Sequence, residues 1–114
     1  MDKTSRRQAI RDFKEKKVQP GVFAIRCTPS GETWVGAAQN LESQQTRYWF
    51  GLRNGGHINR AMQAAWTAHG ETAFDFEVLE EIDDEGLTPL GRADLIKARE
   101  AHWREALGAK KAAG

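Results

Sequence analysis

The sequence predicts an α+β domain, in which a three-stranded, mostly antiparallel sheet is flanked by helices and a further helix lies at the N-terminus. Two neighbouring segments, 21–27 and 32–38, are rich in β-branched and aromatic residues and are separated by a turn with Pro29 and Gly31. A third segment, 73–82, alternates apolar with acidic residues, as a half-buried strand does. The other segments repeat apolar residues at helical spacing. This order of elements favours helices packed on a small sheet.

Composition excludes several classes of protein. A chain of 114 residues, 39% of them hydrophobic, provides one domain with a modest core. The formal net charge of +1 gives no support for a polycation that binds nucleic acid or membranes through bulk charge. No apolar run reaches the roughly 20 residues of a transmembrane helix, and the basic N-terminus lacks the apolar stretch of a secretory signal. With Cys27 as the single cysteine, we expect a soluble, cytoplasmic protein without an internal disulfide.

The first element is a basic arm over residues 1–19, which we expect to be helical. Ser5 and Gln8 fit a capping box, and Pro20 disfavours helix in the residue before it. The arm holds seven basic and three acidic side chains, whereas residues 71–85 hold eight acids and no base. Such opposite charges indicate either two contact surfaces or two ordinary solvated faces.

The strands come next. Both strands of the hairpin carry apolar groups on both faces, so we expect the hairpin to be covered on both sides. Cys27, at the end of the first strand, is interpreted as a small core residue. The third strand is expected to bury one face, which carries Phe74, Phe76 and Val78.

Two helices are predicted between the hairpin and the third strand. Asn40 is a suitable N-cap for a helix over 41–53, and Asn54-Gly55-Gly56 ends it. A second helix precedes Gly70, which lies where a C-terminal cap glycine belongs. The residues at helical spacing are Leu41, Tyr48, Trp49 and Leu52 in the first helix, and Ile58, Ala61, Met62, Ala65, Trp66 and His69 in the second.

The last helix, expected to begin at residue 88 or 89 and to end at Leu107, has an acidic residue on its apolar line. Glu100 lies four residues after Ile96 and three before Trp103. A carboxylate that faces a core must be paired, protonated or bound to a metal, because desolvating a lone charge is costly. Glu100 is therefore either a metal-binding or general-base residue, or a partner of a buried arginine or hydroxyl.

The order of several short motifs resembles that of the GIY-YIG nuclease family. Gly21-Val22-Phe23 opens the first strand where the family has Gly-Ile-Tyr, and Trp34-Val35-Gly36 stands where it has Tyr-Ile-Gly. The resemblance covers about residues 20–107, and it rests on the order and spacing of the motifs together. The further matching segments are GAAQNL at 36–41, LRNGGHINRAMQAAW at 52–66, HG at 69–70, FDFEVLEEI at 74–82 and REAHW at 99–103.

The resemblance implies a three-stranded antiparallel sheet flanked by helices and Mg²⁺-dependent hydrolysis of DNA phosphodiesters. In the family, tyrosines of the two motifs help to activate or position the attacking water. An arginine and a histidine or tyrosine on the first helix stabilise charge and assist proton transfer, and a late glutamate holds a metal. Mg²⁺ or Mn²⁺ is therefore expected in an active member, and no cofactor in an inactive one.

Carried over residue by residue, the family's catalytic positions fall on Phe23, Trp34, Gln44, Tyr48 and Glu100. The first three have changed chemistry, because Phe23 has no hydroxyl, the Trp34 indole only donates, and Gln44 has no fixed positive charge. Tyr48 stands where relatives have histidine or tyrosine, and Glu100 is retained as the metal ligand. The loss of three such groups leaves little catalysis unless other side chains take over.

Nucleic-acid binding is a separate property, and its candidates are Arg47, Arg53, His57 and Arg60. Arginines on one helical face can clamp phosphates. Arg47 and His57 are also possible substitutes for the lost catalytic groups, although a solvated charge and a turn histidine are the simpler interpretations.

Three tryptophans lie near these candidates. Trp34 is expected to be an exposed aromatic of the site, available to stack on bases, because it occupies the position of a family tyrosine. Trp49 and Trp66 lie on the apolar stripes of their helices and are expected in the core.

We therefore expect a divergent nuclease-family domain over 20–107 that binds nucleic acid, in particular DNA, with phosphodiester hydrolysis lost or strongly reduced. Residues 1–19 form the basic arm of this interpretation, and residues 108–114 a flexible tail. Two alternatives stay open. One is an active Mg²⁺- or Mn²⁺-dependent endonuclease with a rearranged site, and the other is a regulatory module that binds a protein partner.

Overall fold

The computed structural model describes residues 19–112, so the helix expected in the basic arm lies outside the described residues. Among the helices within 19–112, none is long and apolar enough to cross a membrane. A 3₁₀ turn, Glu71–Ala73, precedes the third strand. The elements in chain order are β1 (Gly21–Cys27), β2 (Glu32–Ala38), α1 (Gln44–Arg53), α2 (Arg60–His69), β3 (Phe74–Glu81), α3 (Pro89–Leu107) and β4 (Lys110–Lys111).

β1 lies inside the sheet, whose strand order is β3-β1-β2-β4. It pairs antiparallel with β2, which places Phe23 opposite Gly36 and Ile25 opposite Trp34, and it pairs antiparallel with β3. β4 adds a short parallel pairing to β2. The α+β class, the flanking helices and the antiparallel hairpin are confirmed, and the sheet has a fourth strand that was not predicted.

Each face of the sheet buries its own apolar cluster, because successive side chains of a strand point to opposite faces. The face with Phe23 and Cys27 packs against α1 and α2 in the larger cluster. The opposite face, with Val22 and Ala24, packs against α3 through Ile96. The hairpin is thus covered on both sides, and Cys27 is a fully buried core residue, as the sequence indicated.

The sequence predicted that α1 begins at Leu41, but the helix begins at Gln44. The side-chain oxygen of Asn40 accepts the backbone N–H of Glu42 at 3.1 Å. The backbone N–H of Gln44 donates to the carbonyl of Leu41 at 3.1 Å. Asn40 therefore caps a tight turn of its own, and the helix starts only after that turn.

α2 begins at Arg60 because Asn59 is its N-cap. The Asn59 side-chain oxygen accepts the backbone N–H of Met62 at 3.0 Å. Ile58, predicted on the apolar stripe, comes before the cap and is 78% exposed. The Asn59 amide nitrogen also donates to the carbonyls of Lys111 at 3.1 Å and Ala112 at 2.8 Å. This one side chain joins the start of α2 to the far end of the domain.

Within the described residues 108–112, the segment expected to be a flexible tail contains a short strand, β4. Gly108 ends α3 in the left-handed conformation, with φ of 59°, which turns the chain back towards β2. Lys110 and Lys111 then pair with β2, and the buried Ala112 donates its backbone N–H to the carbonyl of Val35 at 2.9 Å. Two successive lysines carry no apolar pattern, which is why no strand was predicted there.

β3 is interrupted by a bulge opposite Val22 and Phe23. An extra residue in one strand changes which face the following side chains occupy. Val78, predicted on the buried face, is 44% exposed, whereas Leu79 packs into the cluster beneath α3. Val78 precedes the bulge and lies opposite Phe23, so it keeps the predicted face and only its burial was wrongly predicted. The regular alternation ends after Val78.

Within the described part of the chain, four of the acidic residues in segment 71–85 form ion pairs. Several of its carboxylates pair with arginines of other elements, so its charge is partly neutralised within the fold. Exposed pairs of this kind contribute little to stability, typically about 0–1 kcal/mol each. The pairs are Glu71 with Arg53, Glu77 with Arg26, Glu80 with Arg99, and Asp84 with Arg92.

Candidate functional site

Tyr48 of α1 lies at the centre of the candidate site. Its ring meets the ring of Phe23 edge-on, with centroids 5.5 Å apart, and lies 5.0 Å from the ring of His57. The carboxylate of Glu100 on α3 is near enough to act on the Tyr48 hydroxyl through its charge. Side chains from four segments therefore interact here: β1, α1, the loop between α1 and α2, and α3.

Phe23 forms the buried floor of this site. Its side chain is only 1% exposed and stacks on Phe76 with centroids 5.1 Å apart. The far end of its ring lies against Gly36 of β2, where an added Cβ would come within 2.6 Å of Phe23 Cζ. The floor is thus closely packed and apolar, and it offers no hydroxyl to a ligand.

Tyr48 is half-buried, and its phenol stays protonated at neutral pH. Burial, followed by the negative charge of Glu100, raises the pKa of Tyr48 above its usual value of 10.0, while Arg47 acts in the opposite direction. A neutral phenol can donate one hydrogen bond and accept others. Tyr48 is therefore suited to binding and orienting a ligand, and poorly suited to taking up a proton.

His57 is held in a defined tautomer beside Tyr48. Its Nδ1 accepts the backbone N–H of Asn59 at 3.0 Å, so the proton of the neutral ring lies on Nε2, an assignment made from this hydrogen bond. Burial lowers the pKa of His57 below its usual value of 6.5. The ring packs against Gly51 of α1, where an added Cβ would come within 2.9 Å of Cδ2. At neutral pH His57 is a hydrogen-bond donor.

Glu100 is the carboxylate whose charge acts on the Tyr48 hydroxyl, and it has an arginine partner, as one of its two sequence-based interpretations expected. Its side chain is 15% exposed, and Arg104, one turn later on α3, approaches its Oε2 at 3.3 Å. Arg104 thus gives this half-buried carboxylate a charged partner from within the chain. The remaining lone pairs of the carboxylate can still accept from a ligand.

Glu100 would give a divalent metal one carboxylate ligand at this site. Within residues 19–112 no group of three or more His, Cys, Asp or Glu side chains is placed to hold a metal ion. Mg²⁺ is commonly held by one or two carboxylates together with phosphate oxygens and several waters. Glu100 can serve as such a single carboxylate, so the donor set suits a cation shared with a bound phosphate.

Trp34 does not lie where the sequence analysis expected it. Instead of being exposed, its side chain is fully buried in the larger cluster and stacks on Phe74, with centroids 6.2 Å apart. Its register on β2, opposite Ile25, turns it towards the core beneath α1 and α2. It cannot stack on a base there. Trp49 and Trp66 are core residues, as predicted.

The polar candidates on α1 and α2 differ in their surroundings. Gln44 is half-buried at the start of α1 and donates from its amide to the Asn40 carbonyl at 3.0 Å. Arg53 makes a two-point contact with Glu71, at 2.9 and 2.7 Å. Arg47 and Arg60 are exposed. Arg60 and His57 border an open cleft of about 430 Å³, together with Gly55, Gly56, Gln63 and Ala64.

Sequence analysis did not predict the two residues that position His57, Asn59 and Gly51. A signal for Asn59 existed, because asparagine three residues before Met62 fits a helix cap. Nothing in the spacing showed that Gly51 must lack a Cβ to make room for the imidazole. The exposed Phe50, at 66% exposure, was also missed, since an isolated aromatic on a polar helix face breaks no rule of patterning.

Comparisons with known proteins identify similar structures. The catalytic domain of the homing endonuclease I-TevI is 28% identical, with a TM-score of 0.67, and the match covers 83% of this chain and 99% of that one. A glutamate-to-alanine mutant of the catalytic domain of the intron endonuclease I-TevI is also 28% identical, with a TM-score of 0.66, covering 80% and 86% of the two chains. No family model matches the sequence, and no curated protein matches it.

Proposed function

Since the chain has the GIY-YIG fold of a nuclease family, we propose that it binds nucleic acid at the site around Tyr48 and has lost most or all of its phosphodiester hydrolysis. The observation that carries this proposal is the contact between Phe23 and Tyr48. The floor of the site is a phenylalanine with 1% exposure and no ionisable group, at the position where the family resemblance implies a tyrosine.

The site lacks groups for two functions that phosphodiester hydrolysis needs, proton transfer and charge stabilisation. Phe23, Trp34 and Gln44 provide neither a base nor a cation, and the buried Trp34 cannot reach a ligand. The Tyr48 phenol at a retained position is protonated, and Nδ1 of the possible substitute His57 is engaged in a hydrogen bond. The loss of a proton-transfer group costs roughly 10²–10⁴ in rate, and that of a charge-stabilising donor roughly 10²–10³.

Several side chains at the site can bind a phosphate. The Tyr48 hydroxyl and His57 Nε2–H are donors that suit phosphate oxygens. Exposed Arg47 is close enough to influence the Tyr48 hydroxyl by its charge, and exposed Arg60 borders the cleft beside His57. These four residues support a phosphate-binding surface that extends from α1 to the start of α2.

Glu100 would be the protein's ligand for a Mg²⁺ or Mn²⁺ ion, which would polarise a scissile phosphate when bound. The carboxylate of Glu100 would orient towards the phosphate side of the site, with Arg104 fixing its position from the next turn of α3. The residues of this chain that touch the phosphate are then Tyr48, His57 and Arg47.

An active endonuclease with a rearranged site is the second candidate. It is favoured by the 5.0 Å contact of Tyr48 with His57 and by Arg47, which lies on the same helix as Gln44. In that case Arg47 would supply the positive charge that Gln44 lacks. A regulatory protein-binding module has less support, because four acids of segment 71–85 are already paired within the fold.

Binding is tested by titrating labelled DNA and RNA at several salt concentrations. The wild type should bind with an affinity that falls as salt rises, because each phosphate contact releases counterions. Arg47→Ala should weaken binding and reduce the salt slope by about 1. Arg92→Ala removes an equal charge that is paired with Asp84, away from the site, and serves as the control. If neither DNA nor RNA binds at low salt, the proposal is wrong.

Cleavage is tested separately, with supercoiled plasmid in Mg²⁺ or Mn²⁺ and Glu100→Ala beside the wild type. We expect nicking at or near background for both proteins. Metal-dependent nicking by the wild type that Glu100→Ala abolishes would instead establish the active endonuclease.

A further inference from the structure

Phe50 is an exposed aromatic side chain on the solvent-facing side of α1. It is 66% exposed, although the neighbouring Trp49 and Leu52 are buried. At 3.6 residues per turn, Arg47 and Arg53 lie about one turn before and one turn after it. Phe50 therefore lies between the positions of two arginines on the helix surface. An exposed aromatic alone needs no explanation, but this arrangement combines a flat apolar face with flanking positive charge.

A depression lies beside this ring. Its volume is about 230 Å³, and its lining combines aromatic, amide, hydroxyl and guanidinium groups. This chemistry offers a stacking surface and edge donors or acceptors, which a nucleobase can use and an aliphatic ligand cannot. The lining residues are Gln45, Thr46, Trp49, Phe50 and Arg53.

Arg53 lines one side of the depression, and its guanidinium is oriented by Glu71. Its Nε and Nη2 donate to the two carboxylate oxygens of Glu71, which holds the guanidinium plane in one orientation. The Nη1 edge and both faces of the guanidinium remain for other partners. Glu71 is the acid that reduces the positive charge here, whereas Arg47 at the other side keeps its charge exposed.

α1 links this depression to the candidate site. Going around the helix from Tyr48, the side chains follow in the order Gln44 and Gly51, then Arg47, then Phe50. A nucleic-acid strand that leaves the site across α1 would meet the Arg47 charge first and the Phe50 ring next. Phosphate and base contacts would then alternate along it, as they do on surfaces that bind single strands.

We infer that Phe50 stacks on an unpaired base of a single-stranded or locally opened nucleic acid, in the depression beside α1, with Arg47 on the adjacent phosphate. This inference rests on the proposed nucleic-acid binding, and it specifies the substrate class. A paired base is not available for such stacking, because both of its faces are covered in the duplex.

The test compares a short single-stranded oligonucleotide with the duplex of the same sequence, by fluorescence anisotropy at fixed salt. Phe50→Ala and Phe50→Leu should each weaken single-strand binding roughly 5- to 150-fold, the range for loss of one stacked base. Phe50→Tyr should retain the wild-type affinity, because it keeps the ring. Leu90→Ala removes a side chain of similar exposure, 72%, on another helix and should change nothing.

A second measurement separates stacking from charge. Phe50→Ala should leave the salt slope unchanged because it removes no positive charge, while Arg47→Ala should reduce the slope. Quenching of 2-aminopurine in the bound strand should disappear with Phe50→Ala and persist with Phe50→Tyr.

The outcomes distinguish this inference from the proposed function. If the wild type binds no nucleic acid, both are wrong. If it binds and Phe50→Ala binds equally well, only the stacking inference is wrong. The same holds if Phe50→Leu behaves as wild type, or if Phe50→Ala weakens single-strand and duplex binding equally.

Discussion

The ring of Phe23 meets the ring of Tyr48 edge-on, with centroids 5.5 Å apart, at the point where β1 passes under α1. An edge-to-face pair of this kind stabilises the fold by about 0.5–1.5 kcal/mol beyond its buried area. Phe23 thus contributes to packing at a position where the proposed family relationship implies a tyrosine hydroxyl. The nearest hydroxyl in the cluster belongs to its partner, Tyr48.

Restoring the missing groups should restore cleavage. The double variant Phe23→Tyr/Gln44→Arg returns a phenol and a cation to their family positions, and we expect Mg²⁺-dependent nicking to rise by roughly 10²-fold over the wild type. The added hydroxyl enters a packed floor, at a cost of about 1–3 kcal/mol in unfolding free energy. Adding Glu100→Ala to the double variant should return nicking to background. A folded double variant that nicks no faster would show that other losses limit the reaction.

Tyr48 is the only tyrosine, so its ionisation can be followed by ultraviolet difference absorbance. We expect it to ionise above pH 10.0, because burial and Glu100 raise its pKa. Glu100→Gln should move the pKa downwards. A pKa that is higher in the folded state favours folding below pH 10.0, and this contribution is lost as the pH rises beyond that value. A Tyr48 that ionises at or below the usual value would contradict the arrangement.

His57 should remain neutral at slightly acidic pH. Burial lowers its pKa below 6.5, so the unfolded chain takes up this proton more readily than the folded one. The free energy of unfolding therefore carries no penalty from His57 above pH 6.5, and it decreases as the pH drops below that value. Proton NMR of the imidazole gives the pKa, and His57→Gln should remove this part of the pH dependence in urea unfolding. An unchanged pH profile in that variant would refute the assignment.

Gly36 should be intolerant of even the smallest side chain. In Gly36→Ala the new Cβ would lie 2.6 Å from Phe23 Cζ and 3.1 Å from the Ala112 Cβ, both of which are buried. We expect a loss of about 1–3 kcal/mol in the free energy of unfolding. Gly56→Ala is the matched control, since its Cβ would meet nothing within 4 Å. Equal stability of the two variants would mean that the floor is less tightly packed than described.

Local signals in the sequence predicted most of the elements. β1 and β2 have the predicted bounds because their β-branched and aromatic residues and the turn with Gly31 are all local features. α3 begins at Pro89 after the Thr88 cap for the same reason, since the Thr88 hydroxyl accepts the backbone N–H of Gly91 at 3.0 Å.

Contacts between distant segments were harder to predict. β4 depends on Asn59 and on the open edge of β2, neither of which leaves a pattern in Lys110 and Lys111. Trp34 was expected at the surface because of its motif position. Strand alternation could not correct this, because both faces of the hairpin are covered and its neighbour Val35, on the opposite face, is buried as well. The proximity of His57 to Tyr48 depends on the small volume of Gly51, a constraint that appears only in three dimensions.

The Asn59 amide has a consequence for the order in which the molecule assembles. It donates to a carbonyl 53 residues downstream. During synthesis, the hydrogen bonds of the Asn59 amide can therefore be completed only after Ala112 has been added to the chain. Contacts of such long sequence separation form late and slowly. A nascent domain can therefore form its hairpin and α1 before the Asn59 amide finds its carbonyl partners in Lys111 and Ala112.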